Sequence, residues 1–130
     1  MTKEEHIEYW VKTAALDWPS VETLFESKNY LQALYWAHLV LEKLLKAHWI
    51  KDNDSNTPPK IHALHILLKN TKLDLTEEER DFVRIFNDFQ IESRYPDERL
   101  LIYKRCTKEY SQEKFEQVKE LRKCLLNKLP

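Results

Sequence analysis

Residues 30–51 read YLQALYWAHLVLEKLLKAHWIK, and this stretch decides the fold. Its apolar residues recur at steps of three and four and cover more than one face of a helix. A helix that is apolar on several faces is usually contacted by other elements from two sides. The stretch is therefore predicted to be the central helix of an all-helical domain.

The residues before this helix predict a long first helix. Thr2 and Glu5 have the spacing of a capping box. Apolar residues then recur at helical spacing, namely at Ile7, Trp10, Val11, Ala14, Trp18, Val21, Leu24 and Phe25. Because proline lacks an amide donor, Pro19 indicates either a kink or a new helix capped by Asp17. The apolar register continues across Pro19, which favours the kink.

A polar loop at residues 52–59 closes the central helix and ends in two prolines. Thr57 is predicted to cap a third helix, with Pro58 at its first position. The apolar stripe of that helix is expected to comprise Ile61, Leu64, His65 and Leu68.

Two more helices are predicted in the remainder of the chain. Thr76 and Glu79 form a second capping box, and the helix that they begin is expected to end near Ser93, ahead of Pro96. Residues 97–110 are expected to be irregular or weakly helical, and a last helix is expected from Ser111. No segment has the alternation of a strand. The fold class is thus all-α: one domain, residues 1–130, forming an up-and-down antiparallel bundle of about five helices with a four-helix-bundle-like core.

The chain contains no glycine, which excludes several functional motifs. A P-loop, a GxGxxG dinucleotide turn and a GxSxG nucleophile elbow all require glycine. Helix ends must be closed by other residues, and the pairs Lys28-Asn29 and Lys69-Asn70 stand where helices should end. Asparagine tolerates the left-handed conformation, so we expect it to take that role.

Composition limits the remaining classes of function. The net charge is −1, so no overall field attracts nucleic acid. The chain has no apolar run long enough to cross a membrane, and its first residues are acidic where a signal peptide is basic and then apolar, so we expect a cytoplasmic protein. Cys106 and Cys124 lack zinc-site spacing and are expected to be free thiols.

Charge is unevenly distributed along the second half of the chain. Residues 74–92 contain seven acidic and two basic side chains, a balance of −5. Residues 94–108 contain five basic and two acidic side chains, a balance of +3. The basic excess falls on the segment with the weakest helical pattern, where binding residues often lie.

Two groups of residues on the predicted helices are candidate site residues. His62 and His65 lie three apart, but no third ligand is near them in sequence, so we predict packing or capping and no metal site. His62 follows the proline loop and is a candidate to face a cleft. Glu42 and Lys46 have i, i+4 spacing, and they either pair on the surface or line a groove beside the central helix.

The segment Ser93-Arg94-Tyr95-Pro96-Asp97 stands at a predicted helix end. Arg94 offers a planar fork that suits phosphate or carboxylate. Alternatively it neutralises helix-end carbonyls or pairs with a carboxylate of the chain. Tyr95 either stacks on a base or fills a gap in the packing.

Together these features resemble the HEPN domains (higher eukaryotes and prokaryotes nucleotide-binding) over nearly the whole chain. The features are Ala14 and Asp17 in an aromatic-led first helix, Tyr30 with Ala33 and Ala37, Glu42-Lys43-x-x-Lys46-Ala47, the proline loop before His62-x-Leu64, and Ser93-Arg94-Tyr95-Pro96-Asp97. The resemblance implies a small helical bundle that commonly dimerises and often acts with a minimal nucleotidyltransferase in a two-component or toxin–antitoxin system. Many members are metal-independent ribonucleases that use an arginine followed, after four to six residues, by a histidine.

This chain departs from that ribonuclease pattern. The positions that would hold the histidine after Arg94 are Arg99, Leu100 and Leu101, and the last histidine, His65, precedes every arginine. We therefore predict no catalytic residue and a nucleotide- or phosphate-binding module with no other cofactor. The alternatives are a ribonuclease with a rearranged acid–base pair and a purely protein-binding bundle. The candidate binding residues are Glu42, Lys46, His62, Arg94, Tyr95 and Asp97.

Overall fold

The computed structural model describes residues 1–130, and every regular element in it is helical. The α-helices are α1 (Lys3–Glu26), α2 (Tyr30–Asp52), α3 (Leu64–Lys69), α4 (Glu77–Phe86), α5 (Pro96–Arg105) and α6 (Lys108–Asn127). Two 3-10 turns, Asn87–Phe89 and Ile91–Ser93, join α4 to α5. α1 and α6 pack antiparallel to α2. The predicted all-α class is confirmed, with six helices in place of about five.

The central position predicted for α2 is confirmed. This helix packs against α1, α3 and α6, and fourteen of its 23 residues are buried. Seven of the fourteen belong to one apolar core, to which α4 adds Phe82 and Phe86 and α6 adds Val118 and Leu125. Truncating one leucine of this core to alanine typically costs about 2–5 kcal/mol, so the core is a main source of stability.

α1 begins as the sequence predicts and continues without a break. The Thr2 hydroxyl accepts a hydrogen bond from the Glu5 amide (3.1 Å), and the Glu5 carboxylate accepts one from the Thr2 amide (3.0 Å). Pro19 lies inside the helix, which does not restart at Asp17. The Asp17 carboxylate instead accepts a hydrogen bond from Lys43 Nζ of α2, and so ties the first two helices together.

The predicted start of the third helix is wrong. α3 begins at Leu64, and neither Thr57 nor Pro58 belongs to it. The Leu64 amide donates to the Asn87 side-chain oxygen (2.8 Å), so a residue from another element satisfies this helix end. His62 lies in the loop before α3, whereas His65 is an exposed residue of the helix.

The last elements differ from the prediction in their bounds. The Thr76–Glu79 capping box is confirmed, but α4 ends at Phe86 and the chain reaches Ser93 through the 3-10 turns. Residues 96–105 form the regular helix α5, with acidic residues in its first turn and basic residues in its last turn. That arrangement suits the helix dipole. α6 begins three residues before Ser111, because the Thr107 side chain caps it.

The expectation that asparagine closes the helix ends in a left-handed conformation is wrong. Lys28 is the only residue with a positive φ, at 66°. Asn29 is instead the N-cap residue of α2, and its amide donates to the Leu24 carbonyl (2.9 Å). Because Asn29 begins α2, Lys28 takes the left-handed conformation between α1 and α2.

Candidate ligand-binding site

The candidate residues fall into two separate groups. Glu42, Lys46 and His62 meet beside α2 and are called the α2 cluster. Arg94, Tyr95 and Asp97 lie where the second 3-10 turn meets α5 and are called the Arg94 turn. No hydrogen bond or ion pair joins a residue of one group to a residue of the other.

The α2 cluster contains a buried ion pair. Lys46 Nζ donates to Glu42 Oε2 at 3.0 Å, and the two residues are only 7% and 5% exposed. The Trp10 ring lies 5.2 Å from Lys46 Nζ and covers it on the α1 side. Burial on this scale is costly for an unpaired charge, so each charged group depends on the other. The pair is thus not the surface pair that the spacing alone would allow.

His62 extends this ion pair to the surface. Its Nδ1 lies 3.0 and 3.2 Å from the two Glu42 oxygens, while 59% of its side chain is exposed. Nδ1 is therefore the protonated nitrogen that faces the carboxylate, and Nε2 has no partner within the chain. A carboxylate that fixes the tautomer and the ring orientation of a histidine leaves its other nitrogen available to a ligand.

His38 is a neighbour of the α2 cluster that sequence reasoning missed. It lies one turn before Glu42, is completely buried, and has no hydrogen-bond partner on either ring nitrogen. Burial lowers the pKa of His38 to about 4, although the Glu42 carboxylate acts in the opposite direction. The ring stacks on Phe86 at 6.2 Å, so His38 is a neutral core residue. In the sequence, His38 could have been recognised as a neighbour of Glu42 from its position four residues earlier on the same helix.

In the Arg94 turn, the guanidinium contacts two carboxylates. Arg94 donates to Asp88 at 3.2 Å and to Glu98 at 3.4 Å, and its side chain is 31% exposed. The alternative in which Arg94 pairs with carboxylates of the chain is therefore realised. Only two of the five guanidinium N–H donors are used, and Nε has no partner. Tyr95 is 74% exposed, and Asp97 is exposed in the first turn of α5.

Further cations surround the Arg94 turn. Arg105 donates to the second Asp88 oxygen at 2.9 Å and lies over the rings of Phe89 and Tyr110. Arg99 donates to the backbone carbonyls of Arg94 and Glu92. Two guanidinium groups thus share the single carboxylate of Asp88. The sequence did not indicate Asp88, because its contact with Arg94 depends on the path of the 3-10 turns.

Tyr35 is close enough to the Glu42 carboxylate of the α2 cluster and to Glu92 for both to affect its pKa. It is on α2, seven residues before Glu42, and is half-buried. Burial, followed by the nearby Glu92 carboxylate, raises the pKa of Tyr35 to about 12, and Glu42 contributes in the same direction. The phenol therefore stays protonated and can donate a hydrogen bond at neutral pH.

His62 and His65 have different partners. Asn87 binds the His65 ring at 2.6 Å, whereas Glu42 binds His62. No group of three histidine, cysteine or acidic side chains is arranged to hold a metal ion. Cys106 and Cys124 are free thiols, both partly buried.

The architecture and the site define a class of small all-helical domains with a buried charged pair on the central helix and an arginine turn before a late helix. The HEPN domain family matches residues 7–129, and the chain belongs to this family. No curated protein and no solved structure matches it. None of its helices has both the length and the hydropathy needed to cross a bilayer.

Proposed function

We propose that this protein is a nucleotide- or phosphate-binding HEPN module rather than a ribonuclease. In this proposal it acts in the cytoplasm as a homodimer, together with a minimal nucleotidyltransferase of a two-component, toxin–antitoxin-like system. The observation that carries the ligand proposal is the incomplete use of Arg94. Its two contacts are long, at 3.2 and 3.4 Å, and one N–H donor on each terminal nitrogen is unused.

A phosphate would bind where Arg94 now meets Asp88 and Glu98. Charge-assisted hydrogen bonds between arginine and phosphate are typically about 2.7–2.9 Å long, shorter than either present contact. Arg105 shares Asp88 with Arg94 and adds a second positive charge beside the same point. The exposed ring of Tyr95 offers a face for a base, since base–aromatic stacking contributes about 1–3 kcal/mol. Asp97 can accept a hydrogen bond from a ribose hydroxyl.

The α2 cluster would contribute through His62. Its free Nε2 can contact a ligand, while Glu42 holds the ring and Lys46 balances the charge of the carboxylate. In this proposal Glu42 and Lys46 position His62.

One observation favours a second candidate function, metal-independent RNA cleavage. His62 is an exposed imidazole oriented by a buried carboxylate, which is the arrangement of a general acid or base. Against it, the chain lacks the arginine-then-histidine order of the ribonucleases in this family. Cleavage of structured RNA that is lost in His62→Ala would establish this alternative in place of the binding function.

The proposed function is tested by titrating the protein with ATP, GTP and short RNA in a calorimeter. Arg94→Ala should weaken binding by about 10- to 100-fold, because hydrogen bonds to charged groups contribute about 1.5–3 kcal/mol. Arg84→Ala is the matched control, since Arg84 is an exposed arginine of α4 that pairs with Asp81 outside both groups.

Equal affinity of Arg94→Ala and Arg84→Ala would contradict the proposed phosphate site. The absence of binding to all three ligands would contradict the nucleotide function. Co-expression and co-purification with a minimal nucleotidyltransferase tests the partner separately.

A further inference from the structure

α5 has an apolar face that nothing in the chain covers. Leu100, Leu101 and Tyr103 are 62%, 68% and 59% exposed, and Ile102 is the only buried residue of this helix. Lys104 lies one turn after Leu100 on the side opposite Ile102, as helical periodicity requires. These four outer residues, Leu100, Leu101, Tyr103 and Lys104, are called the α5 face. Grouped large apolar side chains on a small domain mark an interaction site.

A second unpartnered feature is a groove between α4 and α6, called the glutamate groove. Phe82 and Leu121 lie in it, and its other lining residues are Glu78, Glu79, Glu116, Gln117 and Glu120. None of its lining residues is basic. Its volume is about 280 Å³, which is enough for a few side chains of a partner.

The glutamates of this groove have local partners: Glu79 accepts a hydrogen bond from the Thr76 amide, and Glu116 accepts one from Gln112, both at 2.9 Å. The only ion pairs of Glu116 and Glu120 are with Lys119 and Lys123, at 3.3 and 3.8 Å on their own helix. Exposed pairs of this kind contribute little stability. Glu78 has no ion-pair partner. The groove therefore favours an occupant that is both apolar and positively charged.

The α5 face has this chemistry. It presents two leucines and a tyrosine beside Lys104, and the chain continues through Arg105 to the exposed Lys108. Neither Lys104 nor Lys108 forms an ion pair within the chain. One molecule thus carries both an acidic groove with an apolar floor and an uncovered helix that is apolar and basic.

We propose that the α5 face of one copy docks into the glutamate groove of a second copy, and that a two-fold axis makes this contact twice. The proposal rests on the homodimer of the proposed function and specifies its interface. In a two-fold dimer both copies use the same surface, so the contact closes and no filament grows. Tyr95 is the N-cap residue of α5, so the Arg94 turn lies at the edge of this interface.

The experiment exchanges charges across the interface in the full chain. One variant reverses the charges of the glutamate groove (Glu116→Lys with Glu120→Lys). The other reverses the basic charges at and beyond the α5 face (Lys104→Glu with Lys108→Glu). Each alone places like charges together in both contacts and should raise the dimer Kd by about tenfold or more, measured by analytical ultracentrifugation. In an equimolar mixture, both contacts of the heterodimer join opposite charges again, so the dimer should return.

A matched control reverses the charges of Glu4 and Glu8 (Glu4→Lys with Glu8→Lys), which have the same i, i+4 spacing on α1 and no ion-pair partner. This variant should dimerise like the wild type, and circular dichroism checks that every variant is folded. A dimer that survives both reversals, or a mixture that stays monomeric, overturns this interface and leaves the homodimer of the proposed function intact. A wild type that is monomeric at all concentrations overturns both. Nucleotide binding is measured separately through Arg94→Ala and does not depend on the outcome.

Discussion

The α2 cluster and the Arg94 turn use the same kinds of charged side chains in opposite ways. In the α2 cluster, Glu42 and Lys46 are more than nine-tenths buried, and His62 completes a compact network. In the Arg94 turn the contacts are longer, and the residues stand on short turns at the surface. Buried charges must be satisfied within the fold, whereas exposed ones can exchange partners. The charges of the first region therefore depend on each other within the fold, and the second region is the one that we propose binds a ligand.

The largest effect on stability is expected from removing one partner of the buried Glu42–Lys46 ion pair. Glu42→Ala leaves Lys46 buried without a counter-charge, which should lower the free energy of unfolding by about 3–5 kcal/mol. Urea denaturation followed by tryptophan fluorescence measures this loss. A double replacement, Glu42→Leu with Lys46→Met, removes both charges and should recover most of it. A single variant as stable as the wild type would contradict the structural role of the pair.

The next effect is an acid-induced loss of stability through His38. Its pKa is about 4 in the folded state against an ordinary value of 6.5, so below pH 6.5 the unfolded chain binds more protons. The contribution of neutral His38 to the free energy of unfolding is therefore fully present above pH 6.5. It falls by about 3 kcal/mol as the pH decreases toward 4. Burial lowers the pKa of His48 too, which adds to the loss.

His38→Leu should remove most of this pH dependence, because leucine cannot be protonated. Unfolding free energies measured between pH 4 and 7 compare the variant with the wild type. His65→Ala serves as the control, since His65 is exposed. If His38→Leu kept the full acid-induced loss, His38 would not be its source.

The sequence predicts the parts of this molecule that depend on local chemistry. The capping boxes at Thr2 and Thr76 and the central position of α2 follow from spacing alone. The start of α3 does not, because its first amide is satisfied by Asn87, 23 residues away. α5 has too few buried residues to show a helical stripe, since only Ile102 reaches the core.

The same division applies to the candidate site. The i, i+4 spacing of Glu42 and Lys46 predicts their contact, but not their burial, which depends on Trp10 of α1 and on the tertiary packing of α2. The carboxylate of Glu98 lies four residues after Arg94 and was available from the sequence. The carboxylate of Asp88 was not, since 3-10 turns rather than a regular helix bring it to Arg94.

A smaller effect on stability is expected in the Arg94 turn. Arg94→Ala removes two partly exposed ion pairs and should lower the free energy of unfolding by about 1 kcal/mol or less, while it weakens ligand binding. Urea denaturation under the same conditions as for Glu42→Ala gives a direct comparison. A loss as large as that of Glu42→Ala would show that both regions are structural, and the contrast between them would fail.

The smallest effect on stability is expected from Tyr95. Its side chain is 74% exposed and packs against little of the domain, so Tyr95→Ala should change the free energy of unfolding by less than about 0.5 kcal/mol. Ligand binding should respond differently, because the loss of a stacking face costs about 1–3 kcal/mol per base. Tyr95→Phe retains the ring and should bind ATP like the wild type in the calorimetric titration. If alanine and phenylalanine at this position gave equal affinity, the ring would not contact a base, and binding at the Arg94 turn would depend on phosphate alone.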